Sequence, residues 1–413
     1  MALAGIIGPG LLVGAGGALA NGGPASLLIG FGVIGIIAFS LMQSLGEMTT
    51  LYPSGGAFTG LADRFVDKAF GVAVGWNYFI IWVAVLANEY NVICSVLTYW
   101  TDRVPLWGWF LIFWFVFLGF QMLGVTAFGE AEFWLAILKL AELTACFIFA
   151  IIHAAGGMIR QDEPLGFRYW HDPGPSSTTL PGFRGIATVF VFCSTFYAGV
   201  ESIAVAATET KNPARAVSLA TRQVLWRIIF VYMGTHGIPV YAIIFTNLFG
   251  ALSMMNISTS AGKAYSYIVN LSDVSTLLVW GAISFTHIRF RSAWAYQRRS
   301  VHELPFKSLW YSWNAYFGLF ANVFLAFVQG WTTLSPFNAG NFVDAYVLLP
   351  LFPIVYFGYK WWNGTKYWRL EEIDLNHGRR RDLDAAKKSV DDDLAYGRLK
   401  KKQTIWRKLA RNF

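Results

Sequence analysis

Two kinds of residue in this chain can do chemistry inside an apolar environment. The first is a glycine-rich, uncharged stretch at residues 5–14, which contains Pro9 and lies in an apolar segment at the start of the chain. Glycine and proline at this density break a helix. At membrane depth the freed backbone groups are tolerated only where they line a cavity or hold a ligand. Broken helices of this kind are typical of binding sites in transporters, so the stretch predicts a ligand site.

The second kind is an ionisable side chain inside an apolar segment, which is costly and functional by default. Glu201 is interpreted as the partner of a substrate ammonium or the carrier of a proton, with a structural hydrogen bond as the alternative. Lys139 is interpreted as a proton carrier, because desolvation favours its neutral form. Glu142 lies three residues further on the same helix face, so an ion pair is the alternative. The helix-end position of Glu47 favours a structural role, and Glu89 is left open.

The elements around these residues are those of a membrane protein. Of the 413 residues, 55% are hydrophobic and 14% are charged, and the mean hydropathy is +0.47. Soluble domains have about a quarter of their residues charged. A span needs ~20 apolar residues. The sequence therefore predicts an all-α polytopic membrane protein with about ten spans, at about 1–20, 25–50, 70–100, 104–124, 133–155, 185–207, 224–255, 268–288, 311–332 and 341–362.

The net charge is +8, but the basic residues are distributed along the chain as in a membrane protein and not as in a nucleic-acid-binding protein. Basic residues cluster in short loops after the sixth and eighth predicted spans and in the tail, which is the positive-inside pattern. We therefore predict a transmembrane domain at 1–362 and a basic cytoplasmic tail at 363–413. The cysteines Cys94, Cys146 and Cys193 show no metal-ligand spacing, and no βαβ unit accompanies the glycine run. Neither a metal, another cofactor nor an enzyme is predicted.

One predicted span has the wrong length. Residues 224–255 are too long for one comfortable span and too short for two with a turn. In its middle, residues 234–239 read Gly-Thr-His-Gly-Ile-Pro, which breaks or kinks any helix. We interpret this region as a junction between pieces of two helices.

Seven motifs, in order along nearly the whole chain, resemble the fungal amino acid permeases of the amino acid–polyamine–organocation superfamily. They lie at residues 8–14, 44–48 with 52–56, 75–78, 129–134, 198–201 with 209–213, 284–291 and 329–330. The resemblance implies a twelve-helix fold whose first ten helices form two inverted five-helix repeats. Helices one and six are then unwound at mid-membrane and hold an amino acid between them, and a proton gradient drives uptake at the plasma membrane.

Two departures from the family pattern are expected. The family's N-terminal tail is missing, and residue 1 lies inside helix one. Residues 224–233 resemble the start of helix seven, whereas residues 236–256 resemble helix nine. The remainder of helix seven and all of helix eight are then absent, so a deletion is predicted near 233–236. Both fused pieces run outward in the family, so the fusion leaves the tail in the cytoplasm.

The resemblance also implies which residues bind the substrate. The carboxylate of an amino acid substrate needs N–H donors, and unwound backbone beside a helix N-terminus supplies them. We assign Ile7, Gly8 and Gly10 to this carboxylate. Pro9 has no N–H and removes one donor. Packing of helices through small residues is the alternative for this stretch.

For the ammonium and an aromatic gate over it we assign Thr195, Phe196, Tyr197, Ala198, Gly199 and Glu201, with core packing as the alternative for Tyr197. Lys139 and Glu201 are assigned to proton coupling.

The predicted function is proton-coupled import of amino acids across the plasma membrane, with an amino acid and the lipid bilayer as partners. One alternative is an amino acid sensor of the same fold. Another is a transport-incompetent truncated permease, because loss of helix eight opens the scaffold around helices one and six. The sequence leaves open which amino acids are carried and the oligomeric state.

Overall fold

A computed structural model describes residues 15–53, 56–101, 103–121, 124–157, 168–171, 174–177, 182–202, 259–334 and 337–379. Within these ranges the regular structure is helical, apart from one isolated bridge between Leu334 and Phe337. The start of the first predicted span, the whole of 224–255 and the tail beyond residue 379 lie outside the described residues.

The described helices follow one another in the order of the predicted spans. They are α1 (Ala15–Gly22), α2 (Pro24–Leu51), α3 (Ala57–Phe65), α4 (Lys68–Trp100), α5 (Leu106–Gln121), α6 (Gly124–Ala154), α7 (Arg168–His171), α8 (Phe183–Tyr197), α9 (Thr259–Tyr296), α10 (Tyr311–Val328), α11 (Ala339–Tyr346) and α12 (Leu348–Asn363). Helices α2, α4, α5 and α10 agree with predicted spans to within four residues at each end. Helix α6 begins nine residues before its predicted span, and α9 extends beyond its span at both ends.

Three helices in the described part of the chain are long and apolar enough to cross a membrane: Pro24–Leu51, Lys68–Thr98 and Asn270–Tyr296. The pair α11 and α12, bent by 45° at Val347, adds a fourth span if it is counted as one. Residues Leu106–Phe120 of α5 form a shorter apolar helix. The total of ten spans and the inverted repeat stay predictions.

Helix α9 lies at the centre of the described core. It packs against α2, α4, α8 and α10, and its Trp280 and Trp294 are among the largest fully buried side chains. On the far side of α8, Gly30 of α2 approaches Cys193 so closely that a Cβ at residue 30 would lie 2.9 Å from its sulfur. Close backbone approach through small residues is how helices in a membrane pack, and it holds α8 against α2.

Residues 365–379, here called the C-terminal strap, fold back over the ends of three helices. The Trp368 N–H donates to the Val66 carbonyl oxygen (3.0 Å) beyond the end of α3. The Tyr52 hydroxyl, at the end of α2, donates to the Leu375 carbonyl oxygen (2.8 Å). Beyond α9, the Gln297 amide donates to the Ile373 carbonyl oxygen (2.7 Å). The strap therefore ties together the ends of α2, α3 and α9 on one face of the molecule.

Candidate functional site

Helix α8 stops in the middle of the predicted sixth span. Regular helix ends at Tyr197, and residues 198–201 form turns in which the Ser202 N–H donates to the Gly199 carbonyl oxygen (3.0 Å). Gly199 has φ of 94°, a conformation that glycine adopts without steric cost. The interruption agrees with the unwound sixth helix that the resemblance implied.

Glu201 lies just beyond this break and is completely buried. The Trp280 Nε1–H of α9 donates to its Oε2 (3.0 Å), and the Gly199 N–H donates to its Oε1 (3.2 Å). Both donors are neutral, and an ionised carboxylate has about four acceptor sites. Among the described residues, no lysine, arginine or histidine forms an ion pair with Glu201. The carboxylate can therefore accept a cation or a proton in addition to its present partners.

Tyr197 is also fully buried, at the last turn of α8. Its hydroxyl donates to the carbonyl oxygen of Phe31 in α2 (3.1 Å), and the two ring centroids are 6.2 Å apart. In this arrangement Tyr197 fastens the end of α8 to α2, as expected for the core-packing alternative. Its role as a gate stays a prediction.

The remaining residues assigned to the ammonium are only partly described. The Gly199 carbonyl oxygen accepts from the N–H (3.0 Å) and the hydroxyl (2.5 Å) of Ser202, so it has partners already. Ala198 is half-buried in the turn. Thr195 and Phe196 belong to α8, but their side chains lie outside the described residues, as do Ile7, Gly8 and Gly10. The structure thus describes residues 197–201 of the predicted site, and their role in binding stays a prediction.

Lys139 lies in α6, partly buried, between two acidic side chains. Its charge interacts with that of Glu142 on the same helix and with that of Glu89 on α4. The sequence had named Glu142 as a partner and had left Glu89 open. The structure brings all three together and links α4 with α6 electrostatically.

Glu47, at the end of α2, has a different environment. Its Oε1 accepts from Arg291 Nε (2.5 Å) and His287 Nε2 (3.1 Å), and its Oε2 accepts from a terminal nitrogen of Arg291 (2.9 Å) and from the Ser308 N–H (2.7 Å). Its side chain is fully buried. The cluster joins α2 to α9 and to the segment after α9, in agreement with the structural role that its position favoured.

Sequence reasoning missed Trp280 and Asp273, both buried in α9. Trp280 gives no signal, because it is one of 18 tryptophans in an apolar chain. Asp273 is an acidic residue inside the predicted span 268–288, and the cost of an intramembrane charge could have drawn attention to it as it did to Glu201. In the described part of the chain, no group of three His, Cys, Asp or Glu side chains is placed to hold a metal ion.

A helical bundle with a helix interrupted beside a buried carboxylate is the architecture of a membrane transporter, and the comparisons give the family. The amino acid permease family model matches residues 1–236 and 233–372. The chain belongs to this family, and it is an integral, multi-pass membrane protein and not an enzyme.

Three relatives match almost the whole chain. The general amino acid permease AGP3 of Saccharomyces cerevisiae is 44% identical over 96% of this chain and 85% of its own length. An uncharacterized amino-acid permease of Schizosaccharomyces pombe is 37% identical over 92% of this chain and 84% of its own length. The general amino-acid permease GAP1 of Saccharomyces cerevisiae is 31% identical over 96% of this chain and 81% of its own length.

The family model matches this chain in two regions, which overlap at residues 233–236. A deletion at this junction stays a prediction. The alignment with AGP3 extends over 480 positions, whereas this chain has 413 residues. The relatives therefore contain sequence without a counterpart here, as expected for an internal deletion.

Proposed function

We infer that this protein is a proton-coupled secondary transporter that imports amino acids across the plasma membrane, with its C-terminus in the cytoplasm. The observation that carries the proposal is Glu201, a buried carboxylate with only neutral donors in the described part of the chain, at the interruption of α8. Its relatives are amino acid permeases by name, which supports an amino acid as the substrate.

The chemistry of the site follows from charge. An isolated carboxylate is costly inside a membrane, and an ammonium group or a proton at Glu201 removes this cost. The substrate carboxylate takes the backbone N–H groups of Ile7, Gly8 and Gly10, where a broken helix offers free donors. Lys139 serves as the second proton-coupling group, because it is an ionisable side chain within an apolar helix and its charge interacts with those of Glu89 and Glu142.

The test is uptake of labelled amino acids by cells that lack their own permeases, with and without an inward proton gradient. Glu201→Gln and Lys139→Ala are each expected to abolish proton-driven uptake. Glu371→Gln removes an exposed carboxylate on the strap and is the matched control that keeps uptake. Normal uptake by either of the first two variants would exclude that residue from coupling.

A second function is favoured by the junction at 233–236: a transport-incompetent truncated permease. Uptake is therefore compared between the chain as given and a form with the relatives' additional segment restored at the junction. Transport by both forms excludes the truncated product, and transport by the restored form alone supports it. Amino acid binding without transport by the restored form would favour the sensor. A cDNA that lacks extra coding sequence at the junction would show that the chain is made as given.

The orientation needs its own test. Basic residues close to the strap and to the end of α9, such as Arg289 and Arg299, lie on one face, and such residues favour the cytoplasmic side. A protease site placed after residue 413 is expected to be cut only after the membrane is opened. Cleavage from outside intact cells would reverse the orientation.

A further inference from the structure

A groove runs between α4 and α12 on the outside of the described helices, and its volume is about 210 Å³. Its walls include Trp76 of α4 and Leu351 and Phe352 of α12. Trp76 and Leu351 are exposed, so the groove is open on one side. Among its described lining residues only Asn77 is polar, and its amide donates to the Ser275 carbonyl oxygen (2.7 Å) in α9. The groove therefore presents an apolar surface between two helices of the membrane domain.

A polar cluster lies at one end of this groove. Asp67 is fully buried at the start of α4, and its Oδ2 accepts from the Tyr356 hydroxyl (2.9 Å) and from Lys360 Nζ (2.7 Å). Lys360 also donates to the Tyr356 hydroxyl (2.9 Å). Tyr356 follows Phe352 by four residues and therefore lies on the same face of α12. Both rings contact Phe70 of α4, so the cluster continues the line of the groove.

This cluster lies at the level where a membrane meets water. Trp361 and Trp362 directly follow Lys360, and they are 88% and 85% exposed. Tryptophan is enriched at this boundary, and a lysine near a helix end extends its ammonium to it. The groove residues of α12 precede Lys360 by about one to three helical turns. A ligand in the groove would therefore have its apolar body at membrane depth and one end beside Lys360.

The hydrogen-bonding groups at this end fit a hydroxyl. An ammonium has three N–H donors, and a hydroxyl oxygen has two acceptor sites. Within the described part of the chain, Lys360 uses two of its donors and Tyr356 accepts one hydrogen bond. One donor and one acceptor remain, and a single hydroxyl can both accept and donate. A phosphodiester only accepts, and it would meet the negative charge of Asp67, which already neutralises Lys360.

The sequence of α12 carries a second, independent indication. Four residues separate Leu351 from Tyr356, and three separate Tyr356 from Lys360. A leucine or valine, a tyrosine and a basic residue, separated by one to five residues each, form a short pattern proposed for sterol contact. Such a pattern alone is weak, but here its first residue lines the groove and the other two form the polar cluster.

We propose that the groove between α4 and α12 binds a membrane sterol, with the sterol hydroxyl at Lys360 and Tyr356. The rigid ring system lies against Trp76 and Phe352, and it loses little conformational freedom on binding. A flexible acyl chain would lose more. The groove does not include Glu201, so the proposal is independent of the proposed function.

Photolabelling in a membrane tests the proposal. The purified full chain is reconstituted in phosphatidylcholine vesicles that contain cholesterol with a photoreactive diazirine in its ring system, and labelled residues are identified by mass spectrometry. Labelling is expected within 73–80 and 348–360. Unlabelled cholesterol is expected to reduce it several-fold. Epicholesterol, in which the hydroxyl has the opposite configuration, is expected to compete less well, because its hydroxyl does not meet the polar cluster.

Two variants with matched controls locate the contacts. Leu351→Trp fills the groove and is expected to reduce labelling several-fold, whereas Ile354→Trp, at an exposed position of the same helix, is expected to keep it. Tyr356→Phe removes the acceptor for the sterol hydroxyl and is expected to abolish the preference for cholesterol over epicholesterol. Tyr359→Phe, on the same helix, is expected to keep that preference. If Leu351→Trp does not give a folded protein, Ile80→Trp fills the groove from α4.

Several results would overturn the proposal. They are labelling spread evenly over the exposed helices, equal competition by cholesterol and epicholesterol, and unchanged labelling in the variant that fills the groove. Competition by phosphatidylserine but not by cholesterol would assign the groove to a phospholipid. Efficient cross-linking of Leu351→Cys into a dimer, together with an absence of sterol labelling, would assign it to a second copy of this chain.

Discussion

Glu47 and Glu201 are both fully buried carboxylates, and both lie at a point where a helix ends. The C-terminal end of a helix carries a partial negative charge, so the position of Glu47 near the end of α2 does not favour an acidic side chain. Glu47 accepts four hydrogen bonds, two of them from the guanidinium of Arg291. Glu201 accepts two, both from neutral N–H groups in the described part of the chain.

The difference teaches which buried charge holds the fold together and which one is available for function. Glu47 is neutralised by a cation and its acceptor sites are filled, so a further ligand gains nothing there. Glu201 is oriented by its two donors but has no cationic partner in the described part of the chain, so a proton or an ammonium can still be added there. Burial alone, which is equal for the two residues, does not distinguish these roles; the partners do.

Removing the cation from Glu47 should give the largest effect. Arg291→Ala leaves a buried carboxylate without its counter-charge, which costs about 3–5 kcal/mol. The free energy of unfolding is measured in detergent by tryptophan fluorescence. Arg298→Ala, at an exposed position after α9, is the control and should change little. A loss below about 1 kcal/mol for Arg291→Ala would mean that the two glutamates do not differ as described.

Removing a neutral donor from Glu201 should give a smaller effect. Trp280→Phe keeps an aromatic ring but leaves Oε2 of Glu201 without its N–H donor, and an unsatisfied buried acceptor costs about 1–3 kcal/mol. The midpoint of thermal unfolding is compared with that of Trp294→Phe. This control removes a different indole N–H, which in the unmodified protein donates to the Ser300 carbonyl oxygen (3.1 Å). Adding Glu201→Gln should recover part of the lost thermal stability in Trp280→Phe, but none of it in Trp294→Phe. Equal losses in the two tryptophan variants, with no recovery, would contradict a specific role for the Trp280 donor.

The C-terminal strap, like Glu47, has a structural role, and Tyr52 helps to hold it in place. Tyr52→Phe removes the hydrogen bond to the Leu375 carbonyl oxygen and should cost about 1 kcal/mol. Limited proteolysis of the strap, quantified by mass spectrometry, should become faster. Tyr316→Phe, at an exposed position on α10, should leave the rate unchanged. If both variants are cut at the unmodified rate, the strap does not depend on Tyr52.

The smallest effect concerns pH at the strap. Hydrogen bonds from the N–H groups of Asn376 and His377 lower the pKa of the Asp374 carboxyl below its ordinary value. A lowered pKa in the folded state contributes stability that is complete above the unfolded pKa, near pH 4, and is lost as the pH falls through the folded value. Because Asp374 is exposed, the contribution should stay under about 0.5 kcal/mol. Melting curves of the unmodified protein and Asp374→Asn should therefore differ slightly at pH 6, and the difference should shrink as the pH falls below about 4. A difference that grows on acidification would give the opposite sign.

The positions of most described spans could be read from the sequence, because a membrane imposes a length and a composition on each helix. The start of α6 was missed because Glu130 and Glu132 lower the hydropathy there, whereas backbone hydrogen bonding continues regardless of polarity. The bend at Val347 between α11 and α12 was missed although Pro350 marks it. A proline offers no N–H to the carbonyl oxygen four residues earlier, here that of Tyr346, and so kinks a helix at this point.

The sequence by itself determined the class and the presence of acidic side chains within apolar segments, since both depend on composition. The interruption near Gly199 was expected only from the resemblance to the family. Only the tertiary structure decided which of these charges are neutralised. The partners of Glu47 lie 240 to 261 positions away, and Trp280 is 79 positions from Glu201. Contacts at such separations arise from how helices pack against one another, and the periodicity of a single helix does not encode them.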